Sequence, residues 1–273
     1  MIKKLFVFSV LLISMLIFRI TEAAVEEDRA YFPPVIMYHD IKLMPLNNFD
    51  VTLKDFRKQL DWLKSSGYKT LSIDEFIEIV QESKEFPKKS VLITFDDGYA
   101  DSLAYAVPEL QKRDMKATFF ISSWYLGKVT KGYPYMKESD VKTLAEDPLF
   151  SIGSHTVKHL HLDKVEAENQ ISELNESREY LEKLTGKSIR AISYPFGDYN
   201  AEIIANTKAA GYEISFAADD RGLFGEPARF SIPRIYMGLL LCGNNQELFK
   251  KYVRDYKKMP AEAFVARWQP LTK

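Results

Sequence analysis

The sequence predicts an α/β fold whose parallel strands come close to closing into a barrel. Short apolar runs alternate with longer runs from Pro33 onward, and the longer runs carry apolar residues at helical spacing, as Phe56, Leu60 and Leu63 do. Alternation of this kind indicates βαβ units around a parallel sheet. About seven strand–helix pairs approach the number found in a barrel. No Gly/Ser-rich linker or repeat interrupts the pattern, so one catalytic-size domain is the simplest interpretation.

The predicted elements follow one another along the chain. The apolar runs predicted as strands lie at 35–38, 69–73, 90–95, 117–122, 150–155, 189–196, 212–218 and 230–237. The runs predicted as helices lie at 52–67, 73–83, 100–114, 137–147, 163–186, 200–211 and 244–258. Ser72 is the expected N-cap of the second helix, and Gly186 is the expected end of the fifth. Pro108 lies inside the third predicted helix.

Residues 1–24 have the layout of a secretory signal peptide. Two lysines precede an apolar run at 5–18, and small residues follow before an acidic start. The run is shorter than the roughly 20 residues of a membrane span, and an uncleaved anchor is the alternative. We expect a catalytic domain at 25–273, with its core at about 33–240 and a C-terminal helix and tail at 245–273. The expected location is secreted, cell-surface or periplasmic.

Charge and cysteine content narrow the classes of partner. The chain has 37 Lys and Arg against 38 Asp and Glu, for a net charge of −1. This balance gives no support for nucleic acid or an anionic membrane as partner, and we expect a monomer. Cys242 is the only cysteine, so an internal disulfide is excluded. We expect Cys242 to be a small apolar residue of the core.

Chemically active side chains gather where the predicted strands end. The first strand ends at His39, the third ends at Asp96 and Asp97, and the fifth ends at His155, which His159 follows four residues later. Every histidine of the chain lies at such an end or within a few residues of one. In parallel barrels the C-terminal ends of the strands form the catalytic face. The sequence therefore predicts an active site at this edge.

His155 and His159 have a spacing that suits a metal ion. One helical turn between them would place both imidazoles on the same side. A carboxylate from Asp96 or Asp97 would complete a set of three ligands and leave a position for water, as in catalytic sites. The other aspartate would then be free to accept a proton from that water. Zinc fits this set, and cobalt, nickel or iron are alternatives.

Each of these features also has a simpler interpretation. Two adjacent aspartates can cap a helix, and two histidines four residues apart can lie on an exposed helix face. His39 could be a hydrogen-bonded core histidine, and Arg234 could pair with any nearby carboxylate. Trp124 and the tyrosines near it could stack on sugars or fill the core. The aspartate pair and the two histidines together favour the catalytic interpretation.

Three stretches carry a resemblance to a known family. "TFDDGY", "SHTVKH" and "SYPFG", in that order, resemble the first three motifs of the polysaccharide deacetylases, the NodB-homology carbohydrate esterases, over about 35–237. The resemblance implies a distorted (β/α)7 barrel. It implies that Asp96 is the general base and that the backbone N–H of Phe196 stabilises the oxyanion. It also implies a metal site formed by Asp97, His155 and His159.

Two departures from the family pattern concern catalysis. Most members have an arginine two residues before the proline of the third motif, where this chain has Ser193. Most also have a late histidine as general acid, and here no histidine follows His161. "VIMYHDI" and "IPRIYM" resemble a permuted subgroup, the poly-N-acetylglucosamine deacetylases of bacterial biofilms. This resemblance implies that His39 supplies the acid and that Arg234 could replace the missing arginine.

The expected function is that of a secreted, metal-dependent N-deacetylase. Its substrate would be a polysaccharide that contains N-acetylglucosamine, and the "YHDI" resemblance favours poly-N-acetylglucosamine. Peptidoglycan and chitin-type oligomers carry the same N-acetyl group and stay open as substrates. A non-catalytic glycan-binding relative is a further alternative. So is an O-acetyl esterase, because an ester's leaving group depends less on a strong acid.

Overall fold

The computed structural model describes residues 32–82, 84–217, 229–239 and 243–256. The expected signal peptide, the C-terminal tail and Cys242 lie outside the described residues. Within the described ranges, no helix combines the length and the apolar character that crossing a membrane requires.

A parallel sheet forms the centre of the molecule. The described strands are β1 (Val35–Tyr38), β2 (Asp40–Lys42), β3 (Asp50–Thr52), β4 (Lys69–Thr70), β5 (Ser90–Phe95), β6 (Ala117–Ile121), β7 (Val129–Thr130), β8 (Tyr133–Pro134), β9 (Phe150–Ser154), β10 (Ala191–Ser193), β11 (Ile214–Phe216) and β12 (Ile235–Tyr236). Seven of them follow in the order β11-β10-β9-β6-β5-β1-β12, and β4 pairs with β5 beside this path. Two small sheets, β2 with β3 and β7 with β8, lie apart from it.

The sheet closes on itself through the segment before β12. Ile232 forms a parallel bridge with Phe216 of β11, and its carbonyl accepts a hydrogen bond from the N–H of Ala217 at 2.8 Å. Three residues further on, β12 pairs with β1 in a register that matches Ile36 to Ile235. The first and last strands are therefore neighbours, as a closed arrangement requires. The predicted distorted barrel of seven parallel strands is confirmed.

The helices fall within the runs that the sequence predicts. They are α1 (Leu53–Ser65), α2 (Ile73–Gln81), α3 (Val107–Gln111), α4 (Glu138–Glu146), α5 (Ala167–Thr185), α6 (Ala201–Ala209) and α7 (Gln246–Asp255). Ser72 caps α2 as predicted: its hydroxyl accepts from the N–H of Glu75 at 3.2 Å, and the Glu75 carboxylate accepts from the N–H of Ser72 at 2.8 Å. Gly186 ends α5 with a left-handed φ of 68°.

One predicted helix differs from the structure. The run 100–114 begins as a π-helical turn, Ser102–Ala106, and becomes α-helical only afterwards. Pro108 cannot donate to the carbonyl four residues earlier, and its ring would clash there, so the hydrogen-bond register changes ahead of it. The turn brings the hydroxyl of Ser102 to the end of β1, where it donates to the carbonyl of His39 at 3.3 Å.

Successive residues of β5 face opposite sides of the sheet. Leu92 belongs to a cluster that contains residues of several strands together with apolar residues of α2. The alternate residues belong to the larger core that the helices cover: Val91, Ile93 and Phe95. Thr94 and Asp96 share the parity of Leu92 and therefore point inward. This alternation places the first aspartate of the pair in the barrel interior.

Candidate active site

The C-terminal ends of parallel strands bring the candidate residues together. Asp96 and Asp97 follow β5, His155 follows β9, and Ser193 ends β10. Arg234 immediately precedes β12, on the far side of β1. Because the strands run parallel and curl into a barrel, these positions lie close together at one edge.

Three side chains converge on a single point. The Nε2 atoms of His155 and His159 each lie 3.2 Å from Oδ1 of Asp97. The ligand atoms of these three residues all lie within 4.8 Å of one another. Asp96 stands beside this group, with its Oδ2 atom 3.9 Å from Nε2 of His155. Three protein ligands with an additional carboxylate beside them suit a catalytic metal site better than a structural one.

The predicted helical turn between the two histidines is wrong. His155 to His159 form a loop after β9, with left-handed backbone at Thr156 (φ 62°) and at His159 (φ 57°). Two successive backbone N–H groups within this loop donate to the carboxylate of Glu173 at 2.9 and 2.7 Å, and these bonds hold the loop in its reversed path. The imidazole centroids are 4.7 Å apart. The loop therefore places the two imidazoles side by side, as the predicted helical turn would have done.

The hydrogen bonding of this group fits a metal ion. Nδ1 of His155 lies 2.7 Å from the carbonyl oxygen of Ser193, and this bond fixes the ring with Nε2 directed toward Asp97. Oδ1 of Asp97 is buried and has no hydrogen bond of good geometry with the described residues. Asp97 also has a left-handed φ of 74°, which is uncommon for a residue with a side chain. A divalent cation at the point of convergence would satisfy the orphaned oxygen.

A buried arginine holds Asp96 from another direction. Nη1 and Nη2 of Arg234 donate to the two carboxylate oxygens at 2.8 and 2.7 Å, which makes a bidentate pair. Nη2 also donates to the hydroxyl of Ser193 at 2.7 Å, and that hydroxyl donates to Asp96 at 2.9 Å. Nε of Arg234 donates to the carbonyl of Ala217 at 2.8 Å. The Ser193 hydroxyl thus bridges the Arg234 guanidinium and the Asp96 carboxylate.

The two aspartates keep their negative charges for different reasons. Burial alone would raise the pKa of Asp96, but the Arg234 guanidinium and the His155 imidazole outweigh it, so this pKa lies below its ordinary value. Burial acts on Asp97 in the same direction, but the imidazoles of His155 and His159 beside it hold its pKa well below the ordinary value. Both side chains are therefore carboxylates at neutral pH, one able to accept a proton and the other able to bind a cation.

His39 lies near the metal-binding group without joining it. Its ring packs against Phe49 and Tyr236, with centroids 5.7 and 5.6 Å away. Its buried Nδ1 atom has no hydrogen-bond partner among the described residues. Burial lowers the pKa of His39, and the nearby charges of Asp97 and Asp96 offset this only in part. The imidazole is consequently neutral in the free protein at neutral pH.

Phe196 lies next to the metal-binding group in a constrained conformation. Its backbone φ is 58°, and its ring meets the ring of His159 edge-on with centroids 4.6 Å apart. His161 stacks on the same ring at 3.6 Å between centroids, and its Nδ1 atom lies 2.5 Å from Oδ2 of Asp198. His161 therefore lies beside the metal-binding group. Asp163 completes a second, more exposed set of ligand-type atoms with His161 and Asp198.

The sequence did not assign a role to Tyr99. Burial and the nearby negative charge of Asp97 raise the pKa of Tyr99, so its hydroxyl stays protonated. The ring packs against Tyr135 with centroids 4.9 Å apart. Tyr99 belongs to the "TFDDGY" stretch. Its position directly after the two aspartates and a glycine could have indicated that it lies next to the site.

A buried ion-pair network that the sequence did not predict begins next to His39. Nζ of Lys42 lies 3.0 Å from Asp40 and 2.5 Å from Asp101. Burial raises the pKa of Asp40 to about 7 despite the lysine. The network joins β2 to the π-helical turn, so it supports the segment that carries His39.

We predict that the protein binds one equivalent of a divalent metal through Asp97. Asp97→Ala should lose the metal because it removes the carboxylate of the group. The matched control is His161→Ala, which changes a nearby histidine outside the group and should keep the metal. Metal analysis of dialysed protein measures both variants. Full metal content in Asp97→Ala, or its loss in His161→Ala, would show that the ligands are assigned wrongly.

Arg234→Gln should move the acidic limb of the pH–rate profile to higher pH. Removing the guanidinium removes the charge that favours ionised Asp96, so its pKa should rise by about one to three units. A base must be ionised to act, and a base with a higher pKa is lost sooner as the pH falls. The profile of kcat/KM measures the shift, at a temperature where the variant is folded.

The matched control for that shift is Arg190→Gln. Arg190 pairs with Glu213 at 2.7 Å, at the opposite end of β10 from Ser193. Its loss should leave the acidic limb unmoved. Equal profiles for the wild type and Arg234→Gln would mean that Asp96 does not govern the limb.

Comparisons with known proteins agree with this geometry. A family model described as polysaccharide deacetylase matches residues 83–215. The Bacillus subtilis protein YxkH, a polysaccharide deacetylase by name, is 30% identical over 237 residues, which are 87% of this chain and 81% of that protein. A Staphylococcus aureus poly-beta-1,6-N-acetyl-D-glucosamine N-deacetylase is 30% identical over 200 residues, which are 70% of this chain and 68% of that protein.

A solved structure shares the fold. IcaB from Ammonifex degensii superposes with a TM-score of 0.69 at 18% identity, covering 83% of this chain and 98% of that chain. At this identity the likeness concerns the fold alone. The sequence matches, together with the fold and the convergent Asp97, His155 and His159, show that the chain belongs to the polysaccharide deacetylase family.

Proposed function

We propose that this polysaccharide deacetylase is metal-dependent and removes N-acetyl groups from poly-N-acetylglucosamine. The main support for the proposal is that Asp96 and Asp97 have different neighbours. Asp97 lies against two imidazoles, whereas Asp96 lies against a guanidinium. The site can thus hold a cation and keep a separate base beside it, and metal-assisted amide hydrolysis needs both.

Two observations support this choice of polymer. The Staphylococcus aureus relative is named as a deacetylase of poly-beta-1,6-N-acetyl-D-glucosamine. The "YHDI" start of this chain resembles the same subgroup. Peptidoglycan and chitin-type oligomers are the alternatives, because they present the same N-acetyl group.

The reaction needs a cation, a base and an oxyanion donor. Asp97, His155 and His159 would hold a divalent metal, with zinc favoured and cobalt, nickel or iron as alternatives, which supplies Lewis-acid activation of the amide carbonyl and of water. Asp96 takes the proton of the attacking water, because it is ionised and Arg234 fixes its orientation. The backbone N–H of Phe196 donates to the oxygen on which negative charge develops.

His39 supplies the proton that the leaving amine needs. An amine leaves poorly unless it is protonated, and the metal-binding histidines are committed elsewhere. His39 is positioned by its aromatic neighbours and lies near both aspartates. Because burial lowers the pKa of His39, only a minority of molecules carry the imidazolium at neutral pH. The rate should therefore rise as the pH falls, until Asp96 begins to be protonated.

We also propose that the protein acts outside the cytoplasm. The lysines, apolar run and small residues of 1–24 support this location, because they have the layout of a secretory signal peptide. The location is consistent with a polysaccharide substrate at the cell surface. We propose a monomer as the working form.

The substrate prediction is tested by acetate release from three glycans. We expect the highest kcat/KM on poly-N-acetylglucosamine and lower values on peptidoglycan and chitin oligomers. A chelator should abolish release, and added divalent metal should restore it, because the attack on the amide depends on the cation. A higher kcat/KM on peptidoglycan or on chitin oligomers would show that the substrate is assigned wrongly. No release from any of them by metal-loaded protein would contradict the catalytic role.

His39→Ala should lower the rate on an amide substrate by about 10²–10⁴-fold while the metal is retained, because a positioned acid contributes about that much. It should also remove the alkaline limb of the pH–rate profile, which in the wild type should lie below the ordinary imidazole value because the pKa of His39 is lowered. An O-acetyl ester of the same sugar is the internal control and should lose much less rate. A nearly normal rate on the amide would eliminate His39 as the acid.

A further inference from the structure

An exposed tryptophan is attached to the loop that carries the metal-binding histidines. Trp124 is 53% exposed. Its backbone N–H donates to the carbonyl of Val157 at 2.9 Å, and the N–H of Ser123 donates to the carbonyl of Thr156 at 3.2 Å. Both acceptors lie between His155 and His159 in the chain. The position of the indole is therefore coupled to the position of the metal site.

A row of packed tyrosine rings leads from the residues next to Asp97 to the residue that follows Trp124. Tyr99 follows Asp97 by two residues and packs against Tyr135 at 4.9 Å between centroids. Tyr135 stacks in turn on Tyr125 at 4.8 Å. Trp124 directly precedes Tyr125 in the short helical turn Ser123–Tyr125. The packed tyrosines thus extend from the residues next to Asp97 to the residue that follows Trp124 in the chain.

Two ammonium groups flank the indole. Nζ of Lys128 lies 3.2 Å from its ring centroid, and Nζ of Lys158 lies 5.6 Å from it. Neither Nζ atom has a carboxylate or hydrogen-bond partner in the part of the chain that the structure describes. Each ammonium group keeps up to three N–H donors and offers no acceptor. The cluster therefore combines an apolar plane with donors and positive charge.

An apolar plane beside positive charge should bind an N-acetylated sugar unit more tightly than a deacetylated one. Because the Lys128 ammonium group covers one face of the indole, an N-acetylated sugar would stack its apolar C–H face on the opposite face. Its hydroxyl and amide carbonyl oxygens could then accept hydrogen bonds from the ammonium groups at the edge of the ring. A unit that has lost its acetyl group carries an ammonium group instead. The ammonium groups of Lys128 and Lys158 repel that charge.

We propose that Trp124, Lys128 and Lys158 form a glycan subsite that binds an N-acetylated sugar unit beside the reacting one and disfavours a unit that is already deacetylated. The proposal rests on the proposed function, because it takes the substrate polymer as the ligand. The consequence is that the rate of deacetylation falls as free amines accumulate along the chain. The enzyme would then leave a partly acetylated polymer.

The stacking role is tested by steady-state kinetics on a β-1,6-linked N-acetylglucosamine pentasaccharide. Trp124→Ala should raise KM about ten-fold with kcat nearly unchanged, because stacking binds substrate and transition state alike. Trp124→Phe should recover most of the loss because it keeps an aromatic plane. Trp62→Phe is the matched control, since Trp62 packs against Tyr68 and Phe249. An unchanged KM in Trp124→Ala would overturn the subsite.

The charge selectivity is tested by binding to metal-loaded Asp96→Asn protein, in which turnover is suppressed. The acetylated pentasaccharide should bind at least about ten-fold more tightly than its fully de-N-acetylated counterpart. Replacing both Lys128 and Lys158 with Gln should reduce that ratio by about five-fold or more, and so should high salt. An unchanged ratio in the double variant would refute the selectivity and assign the lysines to ordinary surface cation–π pairs.

These two tests separate the subsite from the proposed function. Absence of acetate release by an otherwise intact protein would count against the proposed function alone. Binding of the pentasaccharide that depends on Trp124 would still support the subsite in that case. Normal acetate release with binding that is insensitive to Trp124 and to both lysines would support the function and eliminate the subsite.

Discussion

Two negative charges that are adjacent in the chain and buried together need separate compensation. An unpaired buried ion costs several kcal/mol, so neither Asp96 nor Asp97 could stay ionised there alone. The left-handed backbone of Asp97 turns its carboxylate toward two imidazoles, and the inward parity of Asp96 points its carboxylate at Arg234. This separation is what gives the two neighbours different chemistry.

The separation depends on closure of the barrel. Arg234 belongs to the last segment of the sheet, and its Nε atom is held by the carbonyl of Ala217 just after β11. Its guanidinium also lies over the rings of Phe120 and Phe216, at 5.8 and 6.0 Å. The bridge that closes the sheet between β11 and the segment before β12 therefore also positions the group that keeps Asp96 ionised. Stability of the closed barrel and basicity of Asp96 are linked in this way.

The sequence predicted the helices and the strands of the central sheet because alternation and helical spacing are local patterns, and it indicated the family because its motifs are short and contiguous. It did not predict the short strands β2, β3, β7 and β8, which lie outside that sheet. It could not predict the path of the histidine loop, since a four-residue spacing is compatible with a helix or a loop, and the choice depends on Glu173. The contact between Asp96 and Arg234 joins residues 138 positions apart. Only the family resemblance suggested it, because no local pattern encodes such a pairing. Neither a local sequence pattern nor the family resemblance indicated the pairing of Lys42 with Asp101.

The measurement that tests this account most directly is made on Asp96→Asn. Metal content and acetate release are determined on the same preparation, because the account assigns the two aspartates to different tasks. The variant should keep about one equivalent of metal and lose about 10²–10⁴-fold in rate, since an amide cannot accept the proton of the attacking water. Loss of the metal together with the activity would contradict the account, because Asp96 would then be a ligand and the assignment of the pair would be reversed.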